Sequence, residues 1–423
     1  MQVTIQRAAL SGELKAIASK SHAHRLLICA ALSQQPSKVL CSETSQDIEA
    51  TADCLNALGA QIRRENDYFS VVPVWKALQK ERKLYCRESG STLRFLLPVA
   101  CALGGSTQFY GEGRLPQRPL SPLYEQLQLH GCTLSPQAQT PLCCSGALHS
   151  GAYELPGNVS SQFTSGLLFA LPLLEGDSTL RLTGKVESLP YIQMTLQALE
   201  QTGICIRQQG QTFQIAGGQY YQAPEICKVE GDWSNAAFWL CAGALQGKGI
   251  CCNGLWADSL QGDRRVLSLL RQFGAQVEQT KDTCRVAPAP LHGIAIDAGN
   301  IPDLAPILSV VACAAQGQTH IYNAGRLRIK ESDRLQTVYE VLHTLGAEVQ
   351  LQEDGFIIQG KGKLQGGVVQ AYGDHRIAMM AAIAACLCTE PVVICGAEAV
   401  NKSYPGFFAD MQQLGAQLKK ENA

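Results

Sequence analysis

The sequence predicts an α/β protein of two domains, assembled from six copies of one unit with three copies in each domain. Three observations carry that prediction: a wholly apolar helical run with a polar head that recurs six times, a second marker on the same beat, and an opening strand that belongs to no unit by position. The polar heads stand at Lys20, Gly90, Ser160, Asp232, Asp303 and Asp374, in steps of 70, 70, 72, 71 and 71 residues. Amphipathic runs close in glycine at Gly59, Gly131, Gly203, Gly274, Gly346 and Gly415, in steps of 72, 72, 71, 72 and 69. Two independent markers with one period identify an internal repeat.

Each unit reads in order as buried helix, strand, amphipathic helix and hairpin. A helix that is apolar all round must be covered on all sides, whereas one with a single apolar stripe lies on a surface. In the fourth unit the buried helix is FWLCAGALQG, the strand is KGICCNGL, and the amphipathic helix is VLSLLRQFGA with apolar positions 266, 269, 270 and 273. Glycines between the elements read as turns and helix ends. The opening MQVTIQRA alternates as a strand does, and the sixth unit stops at AQLKKENA without its hairpin. The first strand is therefore expected to complete the sixth unit's sheet, so that one domain comprises residues 1–15 and 229–423 and the other residues 16–228.

A chain of 423 residues exceeds one ordinary core. A net charge of -1 with 17% charged residues gives no broad basic field, which argues against nucleic acid and membrane surfaces as partners. The 18 cysteines are scattered through apolar runs without a C-x-x-C pair, the pattern of reduced core residues. The start carries no signal-peptide pattern, and the longest apolar run, 377–388, is too short to span a bilayer. The expectation is a soluble cytoplasmic monomer.

Cations at helix starts face the helix's own positive end, a placement that costs stability unless an anion binds there. Lys20, Arg25, Arg94 and Arg376 all break the capping rule. The first head holds Lys20, Ser21, His22, His24 and Arg25; the two histidines lie about 200° apart on a helix and so share no metal ion. The second has Gly90 flanked by hydroxyls, a possible phosphate cradle, and a following loop that ends at Arg118 and Pro119. The third has Ser160, Ser161 and Gln162. In the fifth, Asp303 reads either as a functional acid or as an ordinary helix cap, and the charged run 326–334 either as a binding site or as a solvated helix start. Asp374, His375 and Arg376 head the sixth unit, and Lys402 precedes its second helix. GALQGKG misses the phosphate-loop spacing, and a G-x-S-x-G elbow is absent.

Taken together, SKSHAHR, SGSTLR, QRP, SSQ, IPD, KESDR, DHR and NKSYP resemble, in order and spacing, the 5-enolpyruvylshikimate-3-phosphate synthase family. The resemblance implies two domains, each an inverse α/β barrel of three βαβαββ units. It implies transfer of the enolpyruvyl group of phosphoenolpyruvate to the 5-hydroxyl of shikimate 3-phosphate by addition and elimination, with no metal or organic cofactor. Carried over by position, Ser21 and Arg25 hold shikimate 3-phosphate near its carboxylate, Tyr191 and Gln162 pack at its ring, and Ser160, Ser161, Ser188 and Lys330 grip its phosphate. Lys20, Arg118 and Lys402 meet the phosphate of phosphoenolpyruvate and Arg334 and Arg376 its carboxylate, with Gly90 and Gln162 in the same site. Asp303 binds the reacting hydroxyl as general base, and Glu331 with Lys20 moves the methylene proton. The family usually has Asn where Glu88 and Arg326 stand, and often Gly where Ala18 stands.

Two other readings are weaker. UDP-N-acetylglucosamine enolpyruvyl transferases share the six-unit plan but carry a cysteine in the loop that here reads GEGRLPQRP. A repeat protein used as a binding scaffold keeps like residues at its exposed positions. Here the six heads differ in chemistry while the apolar parts match, which favours one asymmetric site.

Overall fold

The computed structural model describes residues 1–74 and 81–421. The chain divides into two compact units, Met1–Ile17 with Glu230–Ala423, and Ala18–Val229. Each has its own apolar core, one around Trp233, Trp239 and Phe407 and the other around Phe95, Phe169 and Phe213.

The predicted repeat is present element by element. The buried helices are Lys20–Ala31, Gly90–Ala102, Ser161–Ala170, Trp233–Leu245, Ala305–Ala314 and His375–Ala384. Hydrophobic burial over the whole circumference is clearest in Trp233–Leu245, where Trp233, Phe238, Trp239, Leu240 and Cys241 are all buried. The amphipathic helices pack one stripe inward; in Val266–Phe273 the buried residues include Val266, Leu269, Leu270 and Phe273. All six closing glycines have positive φ, from +79° at Gly203 to +108° at Gly59. Gly274 shows why: it ends its helix in the left-handed region, its N–H returning to the carbonyls of Leu270 and Arg271.

Among the described residues the strands form six four-stranded sheets. In the fifth, Ala295–Asp297 runs parallel to Gly317–Tyr322, which pairs antiparallel with Phe356–Gly360 and through it with Glu348–Leu351. The sixth repeats this order with Gly367–Gln370, Val392–Cys395, Gln2–Ile5 and Leu418–Glu421. Residues 2–5 thus occupy the place that a hairpin strand fills elsewhere, as the truncated sixth unit predicts.

Two strands were not legible as such. Ser11–Lys15 runs parallel to Gly249–Asn253 and serves as first strand of the fourth sheet, while Ile226–Lys228 runs parallel to Ser37–Leu40 and serves as first strand of the first. The chain therefore passes from one unit to the other directly after each of these strands. No described helix is long and apolar enough to cross a membrane. None of the 18 cysteines is disulfide-bonded, and most are buried.

Ile5 has no exposed surface and lies between Val392 and Leu418 in the sixth sheet. Ile5→Ala should lower stability to chemical denaturation by about 2–5 kcal/mol, the usual loss for a large aliphatic side chain in a core. A loss below about 0.5 kcal/mol, the scale of a surface substitution, would mean that the opening strand is not seated as described.

Candidate active site

In the unit containing Glu230–Ala423, the charged heads of the fifth and sixth repeats converge on Arg334. This residue opens the helix Arg334–Thr344 behind the cap Asp333, whose carboxylate accepts from Gln336 N–H at 3.2 Å. Its side chain is 1% exposed and its guanidinium meets three carboxylates. Nε lies 2.7 Å from Asp374 Oδ2, Nη1 2.7 Å from Asp303 Oδ1, and Nη2 2.7 Å from Glu331 Oε2. Asp374, wholly buried, also caps the helix His375–Ala384 by accepting from Arg376 N–H at 2.9 Å. The reading of 326–334 as a solvated helix start is therefore wrong.

Asp303 is not a helix cap either. It lies in the short turn Pro302–Leu304, and the cap position of Ala305–Ala314 is Leu304. Its carboxylate is shared among Arg334, Arg376 Nη2 at 3.2 Å and Lys330 Nζ at 3.4 Å. Burial alone would raise this carboxyl; Arg376, Lys330 and Arg334 reverse that and hold it well below the usual carboxylate range. Burial pulls Lys330 down to about 8, with Asp303 opposing. Lys402 donates to the Gly373 carbonyl at 2.6 Å, one residue before Asp374. Behind this cluster Asp263, fully buried, accepts from Ser234 Oγ. Burial and the nearby Asp303 push its carboxyl up to about 6.

The unit Ala18–Val229 handles its cations differently. Lys20, at the first position of Lys20–Ala31, pairs with Asp47 Oδ2 at 2.8 Å, so it is not a bare helix-start cation. Arg25 donates to Thr195 Oγ1 at 2.9 Å and to the carbonyls of Ser21 at 2.6 Å and Tyr191 at 2.8 Å, with its guanidinium over the Phe95 ring. Those acceptors are all neutral, and burial pulls this arginine down to about 10. Its charge is balanced by no carboxylate among the described residues. Arg94 Nη1 donates to Gln162 Oε1 at 2.7 Å, and Gln162 Nε2 donates to Ser91 Oγ at 2.8 Å, which joins the second and third heads. Ser160 caps Ser161–Ala170, accepting from Gln162 N–H at 3.3 Å. Ser188 stands in the left-handed region, φ +54°, at the start of Leu189–Gln201, which carries Tyr191. Arg118 lies against Gly90, where a Cβ would come within 2.7 Å of Nη1.

His22 and His24 are both buried and kept neutral, His22 at about 4 and His24 well below its usual value, by burial first and then by Arg25 for His22 and by Lys20 and Arg25 for His24. Among the described residues no group of three or more His, Cys, Asp or Glu side chains is placed to hold a metal ion. A separate groove of about 850 Å³ beside Asp177, Leu196, Glu200 and Ile215 contains none of the predicted site residues.

A family model described as EPSP synthase (3-phosphoshikimate 1-carboxyvinyltransferase) matches residues 5–411. The chain belongs to this family. A 3-phosphoshikimate 1-carboxyvinyltransferase of Clostridium kluyveri is 44% identical over 418 residues, covering 98% of both chains. A relative of the same description from Clostridioides difficile is 41% identical over 426 residues, covering 98% of this chain and 97% of its own. The solved EPSP synthase of Acinetobacter baumannii superposes with a TM-score of 0.82 at 25% identity, covering 99% of this chain and all of that one. The fold is thus the two-domain inverse α/β barrel of the family, built from six βαβαββ repeats.

The sequence singles out the cations and, through the family's motifs, Asp303 and Glu331, but not every acid that holds them. Asp47 and Asp263 were passed over, and Asp374 was noted only as part of its motif. The signal available was an acidic first turn, Gln46-Asp47, one repeat element after Lys20.

Two predictions follow from the charge pairing. Lys20→Met strands the Asp47 carboxylate, which is 15% exposed, and should cost about 1–3 kcal/mol of stability, most of it recovered in the Lys20→Met, Asp47→Asn double variant. Thermal melts of the two variants decide the matter, and a single variant that melts with wild type would show the pair to be idle. Asp263 binds its proton more tightly folded than unfolded, so it favours the folded state below about pH 4 and loses that contribution as pH rises through about 6. Asp263→Asn should therefore gain stability relative to wild type between these pH values, and a pH-independent difference would mean that Asp263 is ionised throughout.

Proposed function

We propose that this chain transfers the enolpyruvyl group of phosphoenolpyruvate to the 5-hydroxyl of shikimate 3-phosphate and releases phosphate. Near-full-length relatives carry that activity in their names. The structural observation that supports it best is Arg25, a buried cation whose partners are all neutral, the arrangement expected of a group whose counter-ion is a substrate anion.

Two substrates bring two phosphates and two carboxylates, which approach one another only among several cations. Arg25 and Ser21 take the shikimate 3-phosphate carboxylate side, Tyr191 and Gln162 its ring, and Ser160, Ser161, Ser188 and Lys330 its phosphate. Lys20, Arg118 and Lys402 take the phosphate of phosphoenolpyruvate, beside Gly90 and Gln162, and Arg334 and Arg376 take its carboxylate. The 5-hydroxyl oxygen then bonds to the central carbon of phosphoenolpyruvate as Asp303 accepts its proton, and Lys20 with Glu331 supplies a proton to the methylene carbon. Elimination reverses the last transfer: the methyl group gives back a proton and the carbon–oxygen bond to phosphate breaks.

Asp303 is a weak base in the free protein, because three cations stabilise its charge. A substrate carboxylate that draws on Arg334 and Arg376 weakens that field and raises its proton affinity towards the range useful for catalysis. Base strength would thus rise with substrate bound.

Phosphate should be released only when both substrates are present; release from phosphoenolpyruvate alone, or none with both, would overturn the assignment. Asp303→Asn should depress kcat by about 10²–10⁴-fold with smaller changes in either KM, the loss expected of a general base. Normal turnover in that variant would reduce Asp303 to a structural anchor for Arg334.

A further inference from the structure

Residues 86–89 join the strand Glu81–Tyr85 to the helix Gly90–Ala102, and the loop 111–118 follows the strand Ser106–Tyr110. The two segments are tied first through the backbone: Cys86 N–H donates to the Tyr110 carbonyl at 2.8 Å and Glu112 N–H to the Arg87 carbonyl at 2.7 Å. Two side chains then cross in opposite directions. Arg118 comes back from the loop onto Gly90, so that a Cβ there would lie 2.7 Å from Nη1 and 3.0 Å from Cζ. Glu88 reaches out onto the loop at Gly113, where a Cβ would overlap Oε1 and lie 2.7 Å from Cδ. Gly113 also has φ +53°, a conformation that favours glycine, and any side chain there would displace the Glu88 carboxylate.

We propose that Glu88 is a positioning residue: its carboxylate, seated on the bare backbone of Gly113, holds the loop 111–118 so that the Arg118 guanidinium lies against Gly90. The assignment of Arg118 to phosphoenolpyruvate rests on the proposed function; the clasp itself does not. The sign of the effect separates positioning from simple charge. An acid in the segment that leads to Gly90 repels an incoming phosphate, so on charge alone its removal would tighten phosphoenolpyruvate binding. On positioning, removal loosens Arg118 and weakens it.

The test compares kcat and both KM values for wild type, Glu88→Ala, Glu88→Gln, Gly113→Ala and the Glu88→Ala, Gly113→Ala double variant. Glu88→Ala and Gly113→Ala should each raise KM for phosphoenolpyruvate by roughly tenfold or more, the scale of one misplaced charge-assisted contact, and leave KM for shikimate 3-phosphate nearly unchanged. Glu88→Gln, which keeps the shape and one oxygen, should recover most of the loss. The double variant should be little worse than either single one, because both remove the same contact. An unchanged or lowered phosphoenolpyruvate KM in Glu88→Ala overturns the proposal, and this variant decides alone if Gly113→Ala does not fold. Should wild type release no phosphate, the functional reading fails and amide hydrogen exchange across 111–118 takes over: faster exchange in Glu88→Ala supports the clasp, and equal exchange sinks it.

Discussion

The contact on which most of the charged chemistry depends is the meeting of one buried guanidinium, Arg334, with Asp303, Glu331 and Asp374. Taking these charges out of water is expensive, and only close geometry with every lone pair engaged offsets it. The geometry goes far towards that: Asp374 also caps a helix, and Asp303 also reaches Arg376 and Lys330. Lys330, Arg334 and Arg376 are matched in number by Asp303, Glu331 and Asp374. In the free protein, then, these three cations are held as ion pairs and do not stand bare.

The unit Ala18–Val229 solves a related problem with neutral groups. Arg25 is fixed by two carbonyls and a hydroxyl, which orient the guanidinium without cancelling its charge, and Lys20 pairs with Asp47. An incoming anion meets a preset field at Arg25 and a competition at Arg334. The two arrangements suit different tasks: holding a substrate in one case, and tuning the acid Asp303 in the other.

Much of the fold was legible because it follows from periodicity. Burial of one helix and half-burial of the next fix two apolar patterns per unit, and Gly59, Gly131, Gly203, Gly274, Gly346 and Gly415 mark the helix ends because a left-handed residue is needed there. The crossing strands escaped because Ser11–Lys15 and Ile226–Lys228 are short and half polar, and their partners lie far off in the sequence. The cations of the site were legible from the helix-dipole rule. Asp303 and Glu331 were legible through the family's motifs, but Asp47 was not, since an acidic first turn is what any helix favours, and only packing shows which acid meets which cation.

The opening strand Gln2–Ile5 has a consequence for how the molecule is made. The segment 18–229 contains every strand of its three sheets, down to Ile226–Lys228, and can close its core while later residues are still being synthesised. Gln2–Ile5 must wait for Val392–Cys395 and Leu418–Glu421, which follow that whole segment in the chain. Until those partners are made, this strand is an edge without neighbours, tethered to a folded body, which is the situation in which strands pair wrongly. Its alternation helps: only Val3 and Ile5 face the core, and the intervening Gln2 and Thr4 are polar. A strand so short and half polar is a poor template for strangers, yet it is held on both sides once its own partners arrive.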